Sequence, residues 1–404
     1  MQTRPTVTRP IGATEKYMST LTSIDLSNNG IGDKGSQRVA QSIGVNSTIK
    51  EVILSRNSVS FKTCFVFSQI LRGHKTLSKL DLSNNPLGEA GSRCLFRTIL
   101  SGVKTFVMMR DCTFEPDPRA FNHSNPSLLS PYELDMQQPY DSALLDELLL
   151  LVSQEENHIT INSLQLRERK EGKEGSGPGI LGPEKSINLI TYNGEIVIKS
   201  SKLPFRAPQN STVKVAISQV IHRPTVEMAL KKFSLDVLIL IVVNAKSEID
   251  RKNWLSLMCA DVYFTTSQAQ EIIDALKKRG LLGVGLTIVD IYVCVWTKLL
   301  DTENKYDFMC RNLDAQQRQL LAYACSFEKF KFNWVNPTGH WRLDLASKAQ
   351  RDVMMQLIAL NNSESVYSEK SSGRNDTSQK GNWNNFRNES FRGLDNTITI
   401  DRYR

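Results

Sequence analysis

LTSIDLSNNGI at residues 21–31, IKEVILSRNSV at 49–59 and LSKLDLSNNPL at 77–87 are one pattern written three times. Aliphatic residues hold its first, fourth, sixth and eleventh positions and asparagine its ninth, as in Leu77, Leu80, Leu82, Leu87 and Asn85. The copies open at Leu21, Ile49 and Leu77 and are evenly spaced. A weaker copy follows at almost the same spacing, with Val107, Met109, Cys112 and Phe114 in the matching slots and Lys104 where the first aliphatic residue belongs. That departure marks the end of the array.

The spacing has a mechanical cause. In the Leu-x-Leu part, side chains alternate across a short strand, so two aliphatic residues per repeat enter the core and the one between them faces out. Where the strand turns away, the amides of Asn29, Asn57 and Asn85 can bond backbone groups that burial would leave without partners, and stacked copies make a ladder. Apolar positions at helix spacing then predict helices over Asp33–Ile43, Phe61–Leu71 and Glu89–Leu100. Each repeat is one strand and one helix. The pattern resembles the leucine-rich repeat, and its length and full helix are similar to the ribonuclease-inhibitor type. The fold class expected is therefore α/β: a short leucine-rich repeat solenoid, followed by an α+β region with a β-rich part and then a helical part.

The resemblance implies a curved stack whose concave strand face binds protein. On that face the outward positions align as Ser23, Glu51, Lys79 and Phe106 in one column and Asp25, Ile53, Asp81 and Met108 in the next. Ser27, Ser55, Ser83 and Arg110 lie beside them, and Asn28, Arg56, Asn84 and Asp111 complete the set. The expected partner-binding residues are Ser23, Asp25, Glu51, Ile53, Lys79, Asp81, Phe106, Met108 and Arg110.

Beyond the repeats, segment 1–115, the chain reads in four parts. Residues 116–185 form a Pro-rich connector, a short apolar helix (Ser142–Val152), a strand-like run (His158–Leu166) and a Gly- and charge-rich loop (Arg167–Gly179). Residues 186–224 are β-rich, with Asn193-Gly194 as a hairpin turn. Residues 225–360 read as helical from Thr225–Phe233 onward, closing on a hairpin of Phe330–Trp334 and Trp341–Leu345. Residues 361–404 form a polar tail with Trp383, Phe386 and Phe391 spaced through it. Asn125-Pro126 with Tyr132-x-Leu134-Asp135-Met136 is echoed by Asn336-Pro337 with Trp341-x-Leu343-Asp344-Leu345, each before a helical segment.

Composition narrows the function. Of the net charge of +8 on 404 residues, +7 lies in residues 1–120, mostly on expected helices and loops rather than in the strand columns. Only Phe106 is aromatic there, so nucleic-acid binding is not favoured. No apolar run is long enough for a secretory leader or a membrane span, and a cytoplasmic, non-membrane protein is expected. Seven cysteines without a C-x-x-C pair read as reduced, mostly buried thiols. Five scattered histidines show no metal spacing, and GLLGVG at 280–285 is not a phosphate loop. The expectation is a protein without metal or cofactor, a non-catalytic interaction or scaffold protein with a protein partner. Two alternatives stay open: an enzyme with a non-local active site in residues 186–360, involving His222 or His340, and a regulator of a small GTPase.

Overall fold

The computed structural model describes residues 20–154, 159–169, 185–187, 189–192, 195–198, 205–219, 224–283, 285–332, 341–372, 390–391 and 394–395. Asn193-Gly194, most of the Gly-rich loop, His158, His222, the 336–340 turn with His340, and Trp383 and Phe386 lie outside them. The chain divides into two compact units, Met1–Ala120 and Phe121–Arg404.

The first unit carries the repeats. Strands β1 (Ser23–Asp25), β2 (Glu51–Ile53), β3 (Lys79–Asp81) and β4 (Phe106–Met108) form a parallel sheet in chain order. Helices α1 (Gly32–Gly44), α2 (Phe61–Gly73) and α3 (Gly88–Leu100) follow the first three strands and pack side by side. Leu80 and Leu82 of the third repeat and Val52 and Leu54 of the second are fully buried, with Phe65, Phe67 and Phe96 from the helices filling the space behind them. Gly91 permits the close approach of α3 to α2: a Cβ there would lie 2.6 Å from the Cα of Phe61.

Such short strands offer few ladder bonds, and the asparagines supply the rest. Asn57 donates from Nδ2 to the carbonyls of Leu26 (2.8 Å) and Ser55 (3.2 Å), and its Oδ1 accepts from the amides of Asn29 (3.0 Å) and Ile31 (3.3 Å). Asn85 repeats the arrangement one turn on, accepting from the amides of Asn57 (2.8 Å) and Val59 (3.1 Å) and donating to Leu54, Leu82 and Ser83. Cys112, in the fourth slot, reaches the Leu82 carbonyl only through its thiol, at 3.3 Å. A second ladder runs along the other end of the strands. The hydroxyls of Thr48, Thr76 and Thr105 donate to the carbonyls of Leu21, Ile49 and Leu77. Asn46 and His74, at the same position of successive repeats, each accept from two backbone amides of their own turn.

The second unit begins with a four-stranded sheet. Strands β5 (Tyr132–Asp135), β6 (Ile159–Glu168), β7 (Lys185–Ser186) and, after the hairpin β8 (Leu189–Tyr192) and β9 (Glu195–Ile198), β10 (Ser211–Gln219) contribute to it in the order β5-β10-β6-β7, all antiparallel. Strands from residues 116–185 and 186–224 thus share one sheet. Helix α4 (Pro139–Ser153), with Leu144, Leu148 and Leu151 among its buried residues, packs against β5, β6 and β9.

The helices that follow are α5 (Lys232–Asn244), α6 (Glu248–Cys259), α7 (Thr266–Lys278), α8 (Ile288–Val295), α9 (Lys305–Asn312), α10 (Ala315–Cys325), α11 (Phe327–Lys331) and α12 (Lys348–Ser372). Capping boxes at Thr265/Gln268, Thr287/Asp290 and Asp314/Gln317 fix three of the starts. The buried Arg251 donates to the carbonyls of Val242 and Ala245 and so closes the end of α5.

Several expectations are corrected here. Thr225–Phe233 is not one helix: a single 3-10 turn at Val226–Met228 ends where Ala229 bridges to Tyr263 and the Leu230 amide bonds the Tyr263 carbonyl, and α5 starts only at Lys232. Phe330 belongs to a helix rather than a strand, because its ring is turned to stack on Trp296, with centroids 5.2 Å apart. Trp341–Leu345 forms no strand either. What the echoed Asp135 and Asp344 share is a turn: each accepts the amide two positions on, from Gln137 and Ala346, immediately before α4 and α12. Cys310 is exposed, since α9 turns Phe308 and Met309 inward instead.

The asparagine ladder assigns unequal weights to its members. Asn57→Ala strands two amides and two carbonyls in a buried setting and should cost about 3 kcal/mol, whereas Asn29→Ala, at the solvated edge, should cost about 1 kcal/mol. Urea denaturation of the two variants measures the gap; equal losses would contradict the ladder account.

Candidate functional site: the strand face of the repeats

The parallel register places Ser23, Glu51, Lys79 and Phe106 in one row and Asp25, Ile53, Asp81 and Met108 in the next. All eight project from the face opposite the helices, because Ile24, Val52, Leu80 and Val107 between them point into the core. Along the first row, Lys79 Nζ lies 2.5 Å from Glu51 Oε1, and the Ser23 hydroxyl is 3.4 Å from Glu51 Oε2. The Lys79 ammonium holds the Glu51 carboxyl below its usual range. Phe106 ends the row and is 60% exposed. In the second row, Asp25 and Asp81 each accept the amide two positions on, Ser27 at 2.8 Å and Ser83 at 2.9 Å. The hydrogen bonds from Ser27 lower the Asp25 carboxyl. Ile53 and Met108 are half-buried between these polar groups.

At the ends of the strands the chain turns through a left-handed residue in every repeat: Asn28, Arg56, Asn84 and Asp111 have φ of 56°, 56°, 57° and 53°. Asparagine and aspartate tolerate that conformation; arginine has no local hydrogen bond to offset it. Beside these turns lies a cleft of about 300 Å³, lined by Ser27, Ser55, Ser83 and Arg110 from one column, the four turn residues, and Asp81. Arg56 and Arg110, which the sequence places in separate columns, both line this cleft.

A known family and several relatives match part of this chain. The family described as Leucine Rich repeat matches residues 17–39. The N-terminal unit is a leucine-rich repeat array of the ribonuclease-inhibitor type. Ribonuclease inhibitor from Sus scrofa is 34% identical over 93 residues, 23% of this chain and 20% of that protein. NACHT, LRR and PYD domains-containing protein 3 from Homo sapiens is 34% identical over 98 residues, 23% of this chain and 9% of that protein; the Mus musculus protein is 38% identical over 78 residues, 19% and 7%. The chain therefore matches only a small part of these relatives' length. Leucine-rich repeats of this kind point to protein binding.

The second unit holds buried chemistry that local motifs do not announce. Burial pushes the Cys259 thiol up, Cys294 to about 12 and Cys325 to about 11, away from the thiolate form a nucleophile needs. His123 Nε2, ahead of β5, lies 3.2 Å from Glu147 Oε1 of α4, with both side chains buried. Lys305, the first residue of α9, is 8% exposed and places Nζ 4.6 Å from the centroid of the Trp296 ring. Burial is the larger influence on it and lowers its ammonium to about 8, against the opposing pull of Cys325 and Asp301. Among the described residues no helix is long and apolar enough to cross a membrane.

Lys305 gives a pH signature. Its folded value lies below the ordinary lysine value near 10.4, so the unfolded chain binds the extra proton between about pH 8 and 10.4, and this group's contribution to stability rises across that window. Lys305→Met should be more stable than the wild type by about 3 kcal/mol below pH 8, the full linkage of that shift, with the advantage vanishing above about pH 10.4. Denaturation of both proteins across this range checks it; a pH-independent difference would show that the ammonium is not held in a desolvated site.

Proposed function

We propose that this chain is a non-catalytic interaction protein, cytoplasmic in location, whose short repeat array curves so that its strand face is concave and binds a protein partner. The observation that carries this reading is the in-register outward display of Ile53, Met108 and the 60% exposed Phe106 among satisfied polar side chains. Such a mixture, an aromatic anchor with apolar neighbours inside a polar surround, is what protein interfaces use. The kinship with ribonuclease inhibitor, whose name describes action on another protein, supports the same reading. The array is short, so the partner is engaged through a compact surface, and a scaffold role would require the second unit to supply another contact.

Chemistry enters less readily. The burial-raised thiols of the second unit and the ion-paired or turn-bound carboxylates of the strand face lack the activation that catalysis requires.

Affinity capture with the full chain tests the surface. Ile53→Asp combined with Phe106→Asp should weaken partner capture by about tenfold or more, the loss typical of a hot-spot residue, with circular dichroism unchanged. Undiminished capture would move the function away from the strand face.

A further inference from the structure

The cleft at the strand ends contains a mismatch between donors and acceptors. Asp81 is already tied to the Ser83 amide at 2.9 Å. The donors are not so committed. Among the described residues neither the Arg56 nor the Arg110 guanidinium has an acceptor, and Arg110 Nε is buried without a hydrogen-bond partner. The Ser55 hydroxyl between them is likewise unengaged. Elsewhere in the unit, cations near carboxylates are paired: Lys79 with Glu51, Arg93 with Glu89, Arg119 with Asp117.

The two arginines also depart from the repeat's own habit. Arg56 occupies the left-handed turn position that Asn28, Asn84 and Asp111 fill in the other repeats, and adopts φ of 56° without their capacity for a local hydrogen bond. Arg110 stands where the other three repeats have serine. The two strands are separated by one other, so the two positions lie about 10 Å apart across the sheet, a span that two long side chains can close around one small anion.

We propose that this cleft binds the carboxylate of an aspartate or glutamate in an acidic segment of a protein partner, gripped between the forked donors of Arg56 and Arg110. The proposal deepens the strand-face reading and rests on it. Asp81 and Asp111 share the cleft, so the local field is mixed and long-range attraction is modest. Recognition therefore depends on paired, directional hydrogen bonds, for which arginine's planar fork is suited and lysine's point charge is not. A phosphate would carry more negative charge past the same two aspartates, which favours the carboxylate.

The repeat itself supplies variants that should fold. Arg56→Asn and Arg110→Ser restore the residues found at these positions in neighbouring repeats. The probe is a fluorescein-labelled octapeptide with two central glutamates, measured by anisotropy against the full chain, beside the same peptide with glutamines. The glutamate peptide should bind at least about tenfold better than the glutamine one, and the double variant should lose that preference. Arg110→Lys should recover little of it. A helix-side control, Lys34→Gln, should leave it intact. The proposal is overturned if the two peptides bind alike, if Arg110→Lys restores binding fully, if Lys34→Gln weakens it equally, or if a single-stranded oligonucleotide or inorganic phosphate competes better than the acidic peptide. Loss of partner capture in Ile53→Asp/Phe106→Asp but not in Arg56→Asn/Arg110→Ser would leave the strand face as the binding surface and remove the carboxylate cleft alone.

Discussion

A strand this short cannot hold a sheet by its own ladder, and the asparagine carboxamide makes up the deficit. Each buried amide of Asn57 and Asn85 receives two backbone N–H groups from the preceding repeat and returns its own hydrogens to two or three carbonyls. Each repeat depends on its neighbour for satisfaction of its turn, which is why the pattern must recur at a fixed offset. It also explains the ending. Cys112 offers one weak donor and no amide oxygen, so the fourth copy can close the ladder but cannot extend it.

The same constraint creates the surface. With alternate strand residues committed to the core and the ninth position committed to the ladder, only the outward residues and the turn residues are free to vary. They vary in an informative way: polar groups on the rows are largely satisfied by one another or by their own turns, while Ile53, Met108 and Phe106 present apolar area. Arg56 and Arg110 depart from the repeat habit at the strand ends. The identity with ribonuclease inhibitor and with NACHT, LRR and PYD domains-containing protein 3 spans about the length of this array, as expected if the ladder and core dictate the shared residues.

The repeat was legible from sequence because one interaction enforces one residue type at one spacing, and the rows of the strand face follow from the offset alone. The threonine ladder through Thr48, Thr76 and Thr105 was less visible, because the last copy shifts register and threonine serves many roles. His74 shows the same limit: it does the work of Asn46 with a ring nitrogen instead of an amide oxygen, an equivalence of geometry rather than letters. The cleft required the fold, since Arg56 and Arg110 occupy different columns of different repeats. In the second unit, helix starts with capping boxes were readable locally, whereas Phe330 and Ala229 take their conformations from Trp296 and Tyr263, partners on other elements well separated along the chain. Lys305 carries no local sign of burial at all, because its environment is assembled from Trp296, Asp301 and Cys325 on neighbouring elements.

The central claim is that partner contact occurs on the strand face. Site-specific photo-cross-linking tests it most directly, with a photoreactive amino acid placed in turn at Phe106 on that face, at Val45 beyond the end of α1, and at Tyr323 in the second unit, all exposed positions. Partner adducts from position 106, with few or none from 45 and 323, are the predicted result. Adducts from 323 with none from 106 would contradict it.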